Sequence, residues 1–370
     1  MTSPFSLFRL LSWIISVFFQ ALKSFLIHNK LLPPPHFPLL HVPYVPLRRI
    51  IDFMEPEALV SLSFCSQKSH SVIKTQQRAS FNGRLCVSAG YNNALSFRTF
   101  RNRDCVLRVR DCSYFPNSER SNYVKMNGQD VPVEMQCSYG YLISYWHNKT
   151  DRLEIATDYV TNLFNIDVSE VCVFKDAIKM IKWVNRRQKT PLKKVVYIAW
   201  GVIRSEELIY LLRDCTTLSE ISIHSEAAPN FRFSGNFRRI DCLDIWHGQW
   251  VTINNLLTMD GIVINLKKST LTNNDLNVFL KHWLAGGCPR LKLFCARTGS
   301  VHILQVLAGL LHNTVFVEGR RDYTSPFGHK WTLWNGYNIK RSDGVTATVN
   351  SQRQGGLVVS VWPETTHNYN

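Results

Sequence analysis

A mixed α/β architecture is predicted by three observations along the 370-residue chain. Short apolar, β-prone runs recur from residue 171 onward with helical patterns between them. A proline-punctuated stretch around residue 50 carries aliphatic residues at helical spacing. Asn127-Gly128 and Asp343-Gly344 sit between β-prone runs, a strong hairpin signal. The expected order is an N-terminal helix with a spacer (1–35), a short helical segment (36–78) and a β-rich connector (79–150). An irregular α/β repeat array (151–322) and a C-terminal β-meander (323–370) follow.

Hydrophobic residues make up 45% of the chain, which excludes a disordered protein. Formal net charge is +16, from 43 Lys+Arg against 27 Asp+Glu. The charge is dispersed, and its densest stretch, Arg98 to Arg110, reads as a solvated strand face beside no nucleic-acid-binding motif. A basic chain also suits an acidic protein partner. The ten cysteines form no C-x-x-C pair, so they read as free thiols of a reducing compartment, cytoplasmic or nuclear. Asn148-Lys149-Thr150 is a glycosylation sequon on paper only.

Residues 5–27 are very apolar, yet Ser6, Arg9, Ser12, Ser16, Gln20 and Lys23 recur every three or four positions. That is a helix with one polar face, suited to a membrane interface, to an uncleaved signal anchor or to packing on the chain's own core. The uncharged run between Arg9 and Lys23 is short for a membrane span of about 20 residues. The stretch 31–36, LLPPPH, reads as a stiff spacer.

The segment FPLLHVPYVPLRRIIDFMEPEALVSLSFCSQKSHSVIK begins at Phe37. Pro46 suits the first turn of a helix, where its missing N–H is no loss. Leu47, Ile50, Ile51 and Met54 make one apolar stripe; Pro56 restarts the chain, and Leu59, Leu62 and Cys65 make a second. Ser66 can cap a third helix carrying Val72 and Ile73. Helices this short need a partner surface.

This stretch resembles the F-box, which docks a Skp-type adaptor of cullin–RING ubiquitin ligases. Val42-Pro43 stands at the family's Leu-Pro, and Leu47, Ile50, Met54, Pro56, Leu59 and Leu62 stand at its aliphatic and proline positions. Cys65-Ser66-Gln67-Lys68 stands at Val-Cys-Lys-Arg. Val45 replaces the usual acid, Ala58 the Asp, Gln67 the first basic residue and Ser69 the aromatic. The resemblance implies that Pro43, Leu47, Ile50, Met54, Pro56, Leu59, Leu62, Cys65 and Lys68 bind the adaptor and, through it, a cullin.

From Ala79 to Tyr145 short strands are expected, separated by Asn92-Asn93, Pro116-Asn117-Ser118 and Asn127-Gly128. Beyond them, repeat strands begin at Val171, Val195, Glu220, Leu243, Ile262, Leu291 and Val315, separated by 24, 25, 23, 19, 29 and 24 residues. This is a leucine-rich-repeat type of period, and stacking such units gives an irregular α/β solenoid. Thr272-Asn273-Asn274-Asp275 is a helix cap before Leu276, and Gly286-Gly287 ends that helix. Trp246 through Phe294 further resembles the type 2 F-box-associated domain, with its Trp-rich strand, its LTNNDLNVFLKHW helix and its Pro-Arg-Leu strand in order.

No nucleophile elbow, Walker loop, zincin motif or dinucleotide fingerprint is present. His282, Cys288 and Cys295 do not make a metal site, since helix and strand separate them. The two resemblances imply a non-catalytic substrate receptor without a cofactor, binding a protein target of unknown identity. Aromatics on repeat strands and at their C-terminal ends are the candidate target-binding group: Tyr197, Trp200, His224, Trp246 and Trp250. Two other readings stay open, a membrane-surface scaffold anchored by residues 5–27 and a nucleic-acid-binding module built on Arg98–Arg110.

Overall fold

The computed structural model describes residues 42–76, 84–90, 93–98, 103–115, 122–136, 140–147, 151–199, 201–215, 217–352 and 355–362. The expected helix over residues 5–27, the proline spacer, the Asn148 sequon and Trp200 lie outside them. The chain divides into two compact units, residues 1–54 and residues 55–370.

In the first unit, helix α1 (Tyr44–Phe53) starts two residues ahead of Pro46, with Pro43 at its N-cap. The third helical residue has no intrahelical acceptor for an N–H, so Pro46 is tolerated there. Arg48 and Asp52 pair one turn apart at 3.8 Å. Met54 leaves the helix in an extended conformation.

The second unit opens with α2 (Pro56–Ser63), where Pro56 holds the first helical position as the sequence predicts. In α3 (Gln67–Gln76) the Ser66 hydroxyl accepts the Ser69 N–H at 3.0 Å, the expected cap. A large sheet follows. Strands β1 (Arg84–Ala89), β2 (Asn93–Arg98) and β3 (Arg103–Asp111) form an antiparallel meander. Strands β4 (Asn122–Met126), β5 (Gln129–Gln136) and β6 (Tyr141–Trp146) form another, joined to β3 by a parallel β6. Asn127 and Gly128 both have positive φ, 49° and 80°, as the β4–β5 turn requires.

After α4 (Arg152–Phe164), strand and helix alternate. Strand β7 (Glu170–Val173) is followed by α5 (Ala177–Arg187) and β8 (Lys194–Tyr197). A short β9 (Val202–Ile203) precedes α6 (Ser205–Ile209) and β10 (Glu220–Ile223). Next come β11 (Glu226–Ala227), β12 (Cys242–Ile245), α7 (Ile253–Leu257), β13 (Val263–Leu266), α8 (Asn273–Leu284), β14 (Leu293–Arg297) and α9 (Ile303–Val306). Strands β1, β7, β8, β10, β12, β13 and β14 are parallel neighbours in chain order, while β9 and β11 pair separately. Six predicted repeat strands therefore lie side by side, and β1 of the expected connector belongs to the same sheet.

The run at Val315 departs from the expectation of a seventh parallel strand. It opens β15 (Thr314–Thr324), which forms an antiparallel hairpin with β16 (Lys330–Lys340). Strands β17 (Thr346–Gln352) and β18 (Gly356–Val361) complete the predicted meander, and β18 pairs antiparallel with β14. The parallel series thus ends at β14, because β18 occupies the edge where another repeat would add.

Thr272 caps α8 as predicted: its hydroxyl accepts the Asp275 N–H while Asp275 accepts the Thr272 N–H at 2.8 Å. Helix α8 buries Leu276, Phe279, Leu280 and Trp283, and the Phe279 ring lies 4.4 Å from Phe294 of β14. By strand alternation, Phe294, Ile264, Leu243, Ile221 and Val195 share that covered face. All five are 2% exposed or less.

Candidate functional site

Two places carry candidate functional residues, the short N-terminal helices and the sheet face turned away from α8. On α1, Val45, Arg49 and Phe53 stand one turn apart, with Ile50 beside them. Phe53 is 82% exposed, Val45 69% and Ile50 36%, whereas Leu47 is buried. A soluble helix rarely turns so much apolar surface outward without a partner. Of the nine residues predicted to bind an adaptor, Pro43, Ile50, Cys65 and Lys68 are exposed, while Met54 and Leu62 are half-buried.

Leu47, Pro56 and Leu59 are buried instead, which corrects their reading as contact residues. Leu59 is fully buried because α2 packs on β3, β6 and α4. Tyr159 of α4 fastens this arrangement. Its hydroxyl lies 2.8 Å from Ser63 Oγ, its ring stacks on Phe64 at 4.4 Å, and His70 meets its edge at 5.4 Å. Burial pushes the Tyr159 hydroxyl up to about 12, so it stays neutral at physiological pH. The exposed Phe53 was not singled out from the sequence, because no periodicity distinguishes an outward apolar residue from an inward one.

On the sheet, register brings distant residues together. Ser222, Asp244 and Asn265 are direct neighbours on β10, β12 and β13. Beyond the strand ends the ladder continues, through His224 N to Tyr197 O (2.8 Å), Trp246 N to Ile223 O (2.9 Å) and Lys267 N to Ile245 O (2.7 Å). The two-residue period therefore sets His224, Trp246 and Lys267 in one row on the face away from α8. The His224 ring stacks on Trp246 with centroids 4.1 Å apart, and Lys267 Nζ sits 3.5 Å over the indole centroid. Trp246 is 39% exposed.

Asp244 holds the row from below. One oxygen accepts Trp246 Nε1–H at 2.9 Å and the Ser222 hydroxyl at 3.1 Å; the other accepts Asn265 Nδ2–H at 2.8 Å. Ser222 Oγ also lies 2.9 Å from His224 Nε2. Since a carboxylate only accepts, the serine proton points at Asp244 and His224 donates to the serine. A histidine that donates to a serine does not activate it as a nucleophile, so the trio is a positioning network. Burial lowers the His224 pKa below its ordinary value, with Asp244 opposing that shift.

Elsewhere on this face charge is layered. Glu170 is paired with Arg98, and Glu220 with Arg84 and with Lys194 at 3.6 Å. Both carboxylates are buried, while the Arg84 and Arg98 side chains are 43% and 44% exposed. The β15–β16 hairpin roofs the neighbouring part. Tyr323 and Leu333 pack with Cys242, Val263, Leu293, Cys295 and Val358. His329 Nε2 comes 3.7 Å from Cys242 Sγ. Burial pushes the Cys242 and Cys295 thiols up to about 12, which leaves them unreactive.

Of the five aromatics predicted to bind a target, His224 and Trp246 meet at this surface and Trp200 lies outside the described residues. Tyr197 and Trp250 are corrected. Tyr197 points to the covered face, where its hydroxyl donates to buried Glu207 at 2.8 Å. Glu207 in turn accepts the Ala177 N–H at 2.7 Å at the start of α5. Trp250 is buried among Phe231, Phe233 and Phe237. Lys267 was missed, and its signal was its place two residues beyond Asn265 on a strand. The basic stretch is internally engaged, with Arg98 on Glu170 and Arg108 over the Tyr141 ring at 5.1 Å. Among the described residues no group of three or more His, Cys, Asp or Glu could hold a metal ion, and no helix is long and apolar enough to cross a membrane.

Comparison with known proteins finds a family match over part of each place. Residues 39–80 match the F-box domain family, and residues 229–296 match the F-box associated family. The chain carries an F-box and an F-box associated domain. The F-box match spans α1 to α3, and the F-box associated match spans β12 and β13, which bear Asp244 and Asn265, with Trp246 and Lys267 just past their ends. The chain is similar to the Skn-1 dependent zygotic transcript 15 protein of Caenorhabditis elegans, 26% identical over 339 residues, which are 85% of this chain and 94% of the relative. It is also similar to the F-box associated domain-containing protein sdz-33 of the same organism, 24% identical over 160 residues, 39% of this chain and 51% of that relative. No solved structure matches.

Proposed function

We propose that this protein is a non-catalytic substrate receptor of a cullin–RING ubiquitin ligase. The observation that carries the reading is the pairing of an F-box with an F-box associated domain in one chain. In this reading the exposed apolar side of α1, with Ile50 and Phe53, docks a Skp-type adaptor, helped by exposed Lys68 and Cys65. The adaptor joins the chain to a cullin. The chain-ordered strands β7 to β14 act as an irregular, solenoid-like repeat array presenting a protein target through the His224–Trp246 row. The chain's contribution to ubiquitin transfer is then effective concentration and orientation. Cytoplasm or nucleus is the matching compartment, in accord with ten cysteines that form no C-x-x-C pair. Co-expression with a Skp-type adaptor tests the reading: the two chains are expected to co-elute on size exclusion, and separate elution would overturn it.

A further inference from the structure

Beside Trp246 the far face carries two cations with no carboxylate partner among the described residues. Lys267 lies over the indole, and Arg297 continues the row on β14, exposed, its carbonyl accepting the Ser269 N–H at 2.8 Å. Among the described residues neither has a carboxylate within ion-pair distance, whereas Arg84, Arg98 and Lys194 on the same face are each paired with one. The acids of this face are turned inward. Glu170 and Glu220 are buried beneath their partners, and Asp244 is engaged by Trp246, Ser222 and Asn265. A ligand approaching from solvent therefore meets the open edge of an indole held between His224 and Lys267, next to two cations with no carboxylate partner among the described residues.

We propose that this corner of the sheet docks an extended acidic segment of the target protein, its Asp or Glu side chains on Lys267 and Arg297 and an apolar side chain on Trp246. The inference rests on the substrate-receptor reading and names the chemistry of what is received. Charge complementarity selects the occupant, since a desolvated carboxylate beside an unpaired cation gains what a paired cation cannot offer. A nucleic acid fits less well. Sequence-independent strand binding needs a track of cations and several stacking rings. Among the described residues two cations without a carboxylate partner lie beside one ring here, and Arg84 and Arg98 of the face are paired.

The test is selection of random displayed dodecapeptides on the purified full chain, followed by affinity measurement at low and high salt. Selected peptides are expected to be enriched in Asp and Glu and to weaken as salt rises. They should bind the Lys267→Glu/Arg297→Glu variant at least about tenfold more weakly, and Trp246→Ala should weaken them independently. Arg297 is exposed and Lys267 half-buried over the indole, so retention of the fold by the charge-reversed chain is checked by its melting temperature and by unchanged adaptor binding. Recovery of no peptide, recovery without acidic enrichment, or equal binding to the charge-reversed variant would overturn the proposal. So would tighter retention of a twelve-nucleotide oligothymidylate than of any selected peptide. Loss of adaptor binding by the unmodified chain would instead strike the substrate-receptor reading itself.

Discussion

His224 lies flat on Trp246, ring centroids 4.1 Å apart and planes 20° from parallel. Register alone makes that contact, because the two residues extend adjacent strands by one step past their last regular pairs. The stack is electrostatically poised. Burial lowers the His224 pKa, and burial likewise lowers that of His329. Each is therefore neutral in the folded chain at a pH where the unfolded chain is already binding protons.

The sign of the pH dependence follows. A group whose folded pKa is depressed contributes stability that is complete above the unfolded value, near 6.5, and is lost as pH falls through the folded value. The melting temperature is expected to fall between pH 7.5 and 5.5, and His224→Asn should flatten that fall. A variant whose pH slope equals that of the unmodified chain would contradict the neutral, half-buried histidine.

Leu59 and Phe53 separate folding from docking. Leu59 is fully buried, so Leu59→Ala leaves a cavity and should destabilise the chain by about 2–5 kcal/mol. Phe53 is 82% exposed, so Phe53→Ser should leave the denaturation midpoint within about 0.5 kcal/mol of the original. Urea titrations of both variants decide this, and similar losses would contradict the assigned burial.

Glu170 tests the layered charges. Arg98→Ala leaves a carboxylate buried without its partner, which should destabilise by about 2 kcal/mol or more even after allowance for the half-exposed arginine. Adding Glu170→Gln should return part of that loss. A double-mutant cycle with no coupling would show that Arg98 does not neutralise Glu170.

The Thr272 cap offers a smaller effect. Thr272→Ala should lower stability by about 1 kcal/mol, because the Asp275 N–H loses its acceptor and the Thr272 hydroxyl no longer donates to the Asp275 carboxylate. Thr272→Ser, which keeps the acceptor, should remain close to the original; equal losses in both would remove the capping explanation.

These effects differ in how far the sequence foretold them. Thr272-x-x-Asp275 and the prolines at 46 and 56 act locally, so α8, α1 and α2 were legible from spacing alone. The six parallel strands were legible too, since a strand covered on both faces leaves a short apolar run. The run at Val315 looked the same yet pairs antiparallel, because an apolar run does not encode the direction of its neighbour. Side was the harder question. Lys194-Val195-Val196-Tyr197 has no alternation to show that Tyr197 faces Glu207, whereas His224 and Trp246 face solvent. Leu59 and Ile50 were equally apolar on paper, and only packing against β3, β6 and α4 buries the first.

Adaptor docking by α1 is the central property of a substrate receptor. Calorimetric titration of the full chain with a purified Skp-type adaptor is predicted to show a one-to-one complex. In the Ile50→Ser/Phe53→Ser variant that complex should weaken by about 2 kcal/mol or more, roughly thirtyfold, with the melting temperature unchanged. Absence of binding by the unmodified chain, or equal binding by the variant, would contradict it.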